Sequence, residues 1–156
     1  MKKIITFIFV FTIIINLNQY AQKFRWARIG SNAEIKMCTT DTLNNLIVIG
    51  TYNTQTFTLG ELSVNTPSSK NDKIFITKVN SVGKPLWIKS IYAPDSLSFI
   101  TPIKLAVNKN GNIIVALTTS SASININESN YKISNNNNNV NFVILLFHRT
   151  GKLLWM

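Results

Sequence analysis

Residues 72–89, DKIFITKVNSVGKPLWIK, constrain this chain more than any other stretch. An apolar, partly β-branched run from Lys73 to Val79 leads into Asn80-Ser81-Val82-Gly83, and then into Pro85-Leu86-Trp87-Ile88. That is the pattern of strand, tight turn and strand. Gly83 supplies the positive φ that such a turn wants. The same wording returns as Asn141 to Trp155, NFVILLFHRTGKLLW, with Gly151 and Trp155 in the places of Gly83 and Trp87. Any fold for this chain must accommodate that hairpin twice.

The intervening residues repeat in the same order. Ala33 to Thr40 reads as a strand, Asp41 to Asn45 as a turn, and Leu46 to Tyr52 as a short apolar strand buried on both faces. Residues 53–71 are polar, with a short hairpin predicted at Thr56–Leu59 and Leu62–Asn65. In the second half, Ile103–Val107, the turn Asn108–Asn112 and Ile113–Leu117 take the same places. The polar stretch 119–140 follows, holding the weakly alternating Ile124-Asn125-Ile126 and the run Asn135–Asn139. Phe142–Phe147 and Leu153–Trp155 close it. Phe24 to Gly30 reads as one isolated outer strand, because Trp26-x-Arg28-Ile29 echoes Trp87-x-Lys89-x-Ile91.

The spacings agree. Trp26 to Trp87, Trp87 to Trp155, Asn45 to Asn112, Asp72 to Asn141 and Gly83 to Gly151 are nearly equal intervals, and the slack between them falls in the loops. A unit of supersecondary size with four strands and no helical periodicity points to a β-propeller blade. The expected fold is all-β and propeller-like, with about two four-stranded antiparallel blades, an incomplete propeller, after an N-terminal signal helix. The first copy spans about 30–92 and the second about 93–156. The Trp of each last strand is expected to pack between neighbouring blades. Closed propellers use at least about four blades. The chain therefore reads as a fragment of a longer propeller, the alternative being several copies that assemble to close a ring. Two blades alone would leave apolar faces exposed, open to self-association.

Composition supports strands joined by many turns. Charged residues are only 14%, against about a quarter in ordinary domains. Much of the polar share is asparagine, which suits turns and not strand interiors. The formal charge is +10. The basic residues are scattered singly, with no arginine cluster or basic helix, which argues against nucleic acid as a partner. Cys38 is the one cysteine, so no intrachain disulfide exists. Its neighbours Ile35 and Met37 suggest a buried, inert thiol.

Residues 1–21 read as a secretory signal peptide: Met1-Lys2-Lys3, an apolar run from Ile4 to Leu17, and a polar segment ending at Ala21. That apolar run is shorter than the roughly 20 residues a spanning helix needs. Cleavage after Ala21 would release a chain from Gln22 carrying a formal +8, since Lys2 and Lys3 leave with the signal. The expected location is secreted, periplasmic or cell-surface, with membrane contact only through an uncleaved signal segment.

Residues 41–50, 72–89, 108–112 and 141–155 together resemble the bacterial SBBP-type β-propeller repeat proteins, abundant among secreted proteins of Bacteroidetes-like bacteria. Their unit runs strand, Asp-x-x-Gly-Asn, apolar strand ending in Gly, insertion, Asp-x-Phe strand, Asn-Gly turn and Trp-x-Lys. This chain departs from it at Asn44-Asn45, which replaces Gly-Asn, and at Asn141, which replaces the Asp. The resemblance implies a propeller fold and no shared catalytic residues. The Gly151-Lys152-Leu153-Leu154-Trp155 ending is also similar to a feature of quinoprotein-type and outer-membrane-assembly propellers.

Little in the chain suggests chemistry. Glycosidase-type hydrolysis needs two carboxyl groups about 5–9 Å apart. Asp41 and Asp72, at a turn and a strand start, are explained by turn bonding. His148 is the only histidine, so no histidine-based metal cluster can form. Asn108–Asn112 only loosely resembles a Ca²⁺ loop, lacking carboxylates and carrying Lys109. No catalytic, cofactor or metal residue is assigned, and the chain is expected not to be an enzyme. The expectation is a non-enzymatic module that binds a protein or glycan through 53–71 and 119–140, loops on a rigid scaffold. A scaffold in outer-membrane assembly is the alternative, and a quinone- or carbohydrate-acting propeller enzyme the less favoured third reading.

Overall fold

A computed structural model describes residues 26, 27, 30, 32–67, 72–133 and 140–156, and every regular element among them is a β-strand. The signal peptide expected at 1–21 lies outside these residues.

The strands are β1 (Ala33–Thr40), β2 (Leu46–Tyr52), β3 (Thr56–Leu59), β4 (Leu62–Asn65), β5 (Lys73–Val79) and β6 (Pro85–Tyr92). They continue as β7 (Ile100–Val107), β8 (Ile113–Thr119), β9 (Ser123–Ile126), β10 (Ser129–Lys132), β11 (Asn141–Phe147) and β12 (Leu153–Trp155).

One turn design organises them. At Asp41, Asn80, Asn108 and His148 the first residue donates its N–H to the fifth residue's carbonyl, and the fourth donates back to the first, all at 2.8–3.0 Å. The fourth residue takes positive φ: Asn44 at 58°, Gly83 at 83°, Gly111 at 78° and Gly151 at 84°. Asparagine is the side chain that best tolerates this region after glycine, so Asn44 fills a glycine's place. Oδ1 of Asp41, Asn80 and Asn108 accepts two backbone N–H groups at 2.8–3.1 Å. The oxygen of Asn108 is thereby spent on the turn's own amides.

These turns link two antiparallel meanders, β1-β2-β5-β6 and β7-β8-β11-β12. A hairpin interrupts each at the same point, β3–β4 between β2 and β5, and β9–β10 between β8 and β11. Both hairpins turn through two residues with positive φ at the first, Gly60 at 60° and Asn127 at 52°, as in a type II′ turn. The second hairpin also pairs with the first meander, through Ile91↔Ile126 and Tyr92↔Asn125. The result is sheets of six, four and two strands, none closed, in place of two separate four-stranded sheets. The bridge Gly30↔Leu59 repeats that cross-pairing at the N-terminal side.

The two meanders pack face to face. Ile47, Ile49, Ile74, Ile76 and Ile91 of the first meet Val115, Leu117, Val143, Leu145 and Phe147 of the second in one core. β1 and β7, the first strand of each meander, lie close together. On the other face of the first meander, Val48, Phe75, Val79 and Ile88 pack with Phe57 and Leu59 of the inserted hairpin. Phe57 stacks on Phe75 with ring centroids 4.4 Å apart.

Gly50, at the end of the apolar part of β2, has a steric explanation. A Cβ there would come within 2.1 Å of the Glu34 carbonyl and 2.6 Å of the Phe75 ring.

Two expectations are corrected. Cys38 is exposed, not buried. It lies on the edge strand β1, past a register shift between Ile35 and Met37, on the sheet face away from the main core. β7 begins at Ile100, ahead of the segment Ile103–Val107 read from the sequence. Pro102 lies within the strand and is still paired, to Leu117.

Candidate functional site

Beside the apolar core, Trp87 joins the first meander to the last turn of the second. Trp87 lies against Gly151, where an added Cβ would come within 2.9 Å of the indole. Its Nε1 donates to the Arg149 carbonyl at 3.1 Å. Trp26 stands in the same relation to Gly83, with its Nε1 donating to the Ser81 carbonyl at 3.1 Å. The acceptor in each case belongs to the residue two before the turn glycine. The repeated glycine therefore serves twice, in the turn and as a seat for an indole.

Lys78 reinforces the first of these contacts. Its Nζ lies 2.8 Å from the Asp41 carboxylate, with both side chains buried, and 3.4 Å from the Arg149 carbonyl. Burial pushes the Asp41 carboxyl up, but hydrogen bonds from Asn45, Lys78 and Leu43 outweigh it and hold it at about 2. Asp41 is thus committed to structure.

The remaining carboxylates do not assemble into a centre. Glu34 pairs with Lys36 at 2.7 Å on the surface. Asp95 accepts from the Ser98 N–H and the Ser121 hydroxyl, each at 2.7 Å. A hydrogen bond from the Ser98 side chain, opposed by burial and joined by the Ser121 bond and then by the Ser98 N–H, lowers its carboxyl. Asp72 is exposed just before β5. No group of three His, Cys, Asp or Glu side chains converges as a metal site among the described residues. His148 uses Nδ1 within its own turn, 2.8 Å from the Thr150 hydroxyl.

A buried polar cluster sits at the far end of β2 and β5. Lys73 is 1% exposed; its Nζ donates to the Thr54 carbonyl at 3.2 Å and lies 5.7 Å from the Tyr52 ring centroid. Burial pulls the Lys73 ammonium down, against the opposing pull of Asp72. Burial pushes the Tyr52 phenol up. The Thr66 and Ser90 hydroxyls lie near enough to oppose that, without reaching hydrogen-bond geometry to the phenol.

One feature among the described residues with room for a ligand is an open groove of about 650 Å³ between the two inserted hairpins. Ser63, Val64 and Asn65 of β4 line one side. Ile126, Asn127, Glu128, Ser129 and Tyr131 line the other, from the β9–β10 hairpin. Lys89 of β6, Gly151 and Lys152 of the last turn and Leu153 of β12 complete it. Hydroxyl, amide and ammonium groups therefore converge beside one half-buried aromatic ring, Tyr131. Asn127 serves the frame: its Oδ1 accepts from the Ser90 N–H at 3.0 Å, and its own N–H donates to the Ser90 carbonyl at 2.9 Å.

The groove draws on both polar stretches expected to carry binding. Residues 62–65 and 126–131 become neighbours because β9 adds onto β6. β10 has no counterpart in the sequence reading. Its signal is the first hairpin itself: displaced by the interval from Asn45 to Asn112, Leu62–Asn65 falls on Ser129–Lys132. Residues 68–71 and 134–139, the latter covering the asparagine run, lie outside the described residues.

Comparison with protein-family models, curated proteins and solved structures finds no match.

Proposed function

We propose that this chain is a secreted, non-enzymatic β-propeller-type repeat module that holds a glycan in the groove between its inserted hairpins. The observation that carries the reading is the groove itself. Two polar insertions, far apart in sequence, line one open cleft with hydroxyl and amide groups around Tyr131, and Lys89 and Lys152 of the framework add their ammonium groups. Polyhydroxyl ligands suit such a lining: amides and hydroxyls exchange hydrogen bonds with the sugar, and an aromatic ring covers its apolar face. The two lysines with a single acidic group, Glu128, favour a glycan carrying carboxylate or sulfate.

The propeller reading draws support from the packing. The two meanders share strand order, insertion point and turn design, and their first strands approach each other while a hairpin fills in beside the last strand of the first meander. Wedge-like stacking of four-stranded sheets about an axis has this form. The Met1-Lys2-Lys3 and Ile4–Leu17 pattern supports secretion.

The test is a glycan array probed with the mature protein, followed by calorimetry on the strongest hits. Tyr131→Leu, which removes the ring but keeps an apolar side chain against the core, and Lys89→Ala should each weaken binding at least several-fold, with thermal melting of each variant checking that the fold is retained. Binding of no glycan, or binding indifferent to both substitutions, would refute the groove as the site. A protein captured through the same two residues would replace the glycan with a protein partner. N-terminal sequencing of exported material should begin at Gln22; an intact Met1 would refute the signal.

A further inference from the structure

The outward faces of the two meanders carry the two halves of the interface already present inside the chain. Matched turns make the correspondence countable. Displacing β2 by the interval from Asn45 to Asn112 puts Ile47 and Ile49 on Ile114 and Ala116. Displacing β5 by the interval from Gly83 to Gly151 puts Ile74 and Ile76 on Phe142 and Ile144. The pairing agrees, since Ile49 faces Ile76 and Ala116 faces Ile144. The first set is buried between the meanders. The second lies on the outward face of the second meander, where Phe142 is 62% and Ile144 39% exposed. Trp155 stands in the place of Trp87 and is 50% exposed.

The opposite outward face matches the other half. Val48, Phe75 and Val79 of the first meander occupy the positions of Val115, Val143 and Phe147, the residues that pack into the internal interface. They form the floor of an apolar groove of about 360 Å³ that Phe57, Leu59 and Trp26 already cover in part, with the exposed Ile35 on its wall. Beside it, Gly83 and the Ser81 carbonyl form the same seat that Gly151 and the Arg149 carbonyl offer to Trp87, and Trp26 occupies it.

We infer that copies of this chain associate head to tail. The outward face of the second meander of one copy sits in the apolar groove on the first meander of the next, and Trp155 of the incoming copy displaces Trp26 from Gly83. The contact joins two different surfaces, so it extends until the rotation closes. The reasoning rests on the propeller-type packing proposed above and is independent of what the hairpin groove binds. With two blades per copy, closure within the usual range of about four to eight blades takes two to four copies. Trp26 acts as an internal competitor: it shields the seat and weakens association.

Light scattering coupled to size exclusion tests this on mature protein between low micromolar and about 0.5 mM, in about 0.3 M salt to screen the net positive charge. The expected result is a concentration-dependent assembly, lost in Phe142→Lys and weakened in Trp155→Ala. Trp26→Ala should shift assembly to concentrations at least several-fold lower. Phe142 is exposed, so its substitution leaves the folded copy intact, and circular dichroism with thermal melting checks this for every variant. A monomer at all concentrations, or an assembly that survives Phe142→Lys, would overturn the inference. An open ladder of sizes that is still lost in Phe142→Lys would support the contact while refuting the closed-ring geometry of the propeller reading.

Discussion

Acid should unfold this protein largely through one carboxylate. Asp41 accepts from the Leu43 and Asn45 N–H groups at 2.9 Å, from the Asn45 amide at 2.9 and 3.1 Å, and pairs with Lys78 at 2.8 Å. Its carboxyl lies at about 2 in the folded chain against an ordinary 3.8. The folded value is depressed, so the stabilisation is complete above the unfolded value and is lost as pH falls through the folded one. The gap corresponds to about 2 kcal/mol, disappearing between roughly pH 5 and pH 1. Urea denaturation from pH 7 to pH 2 measures it. Asp41→Asn should remove most of the acid-dependent loss over that window. It should also lower stability at pH 7 by about 3–5 kcal/mol, because Lys78 is left buried without its counter-charge. Pairing it with Lys78→Met should restore much of that loss, since an apolar side chain of similar length removes the stranded charge. If the acid slope of Asp41→Asn matched that of the wild type, the ion pair would not be the main acid-sensitive contact. If the double variant were no better than the single one, the stranded charge would not be the cause of the loss at pH 7.

Three further outcomes follow from the packing. Gly50→Ala should destabilise by about 3 kcal/mol or more, because the new methyl meets the Glu34 backbone carbonyl as well as the Phe75 ring; an unchanged melting temperature would show that β1 can move away freely. Trp87→Phe should cost about 1 kcal/mol through loss of the bond to the Arg149 carbonyl, and combining it with Gly151→Ala should give less than the sum of the two in denaturant titrations, since both act on one contact. Leu117→Asp, at a side chain with no exposed surface, should abolish the cooperative transition or prevent soluble expression.

The hairpins were readable because their signals are local. The apolar alternation of residues 73–79 and the turn glycines at 83 and 151 set the strands around them; β2 and β5 run over the residues expected, and β6 begins at Pro85 as expected. Thr56–Leu59 and Leu62–Asn65 form the predicted hairpin for the same reason. β10, SNYK, was not legible by itself because its polar residues carry no apolar period. Cys38 is exposed because neighbours along a strand do not share a face: Met37 turns to the main core, so Cys38 points to the other side of the edge strand β1. The candidate groove was only half legible: composition marked the insertions as the variable polar parts, and nothing local said that they would meet.

The sequence by itself determined the strands, the turns and their spacing, because these depend on side-chain alternation and on which residues accept positive φ. Only the tertiary structure decided what the motif is for. Gly83 and Gly151 are seats for Trp26 and Trp87, and Lys78 is a buried partner of Asp41 that also reaches the opposite meander. Likewise, β9 joins the sheet of the first meander and draws the two hairpins around one groove. Each of these joins residues from well-separated parts of the chain. Such contacts are selected by packing across the whole chain, and no short window of sequence contains both partners.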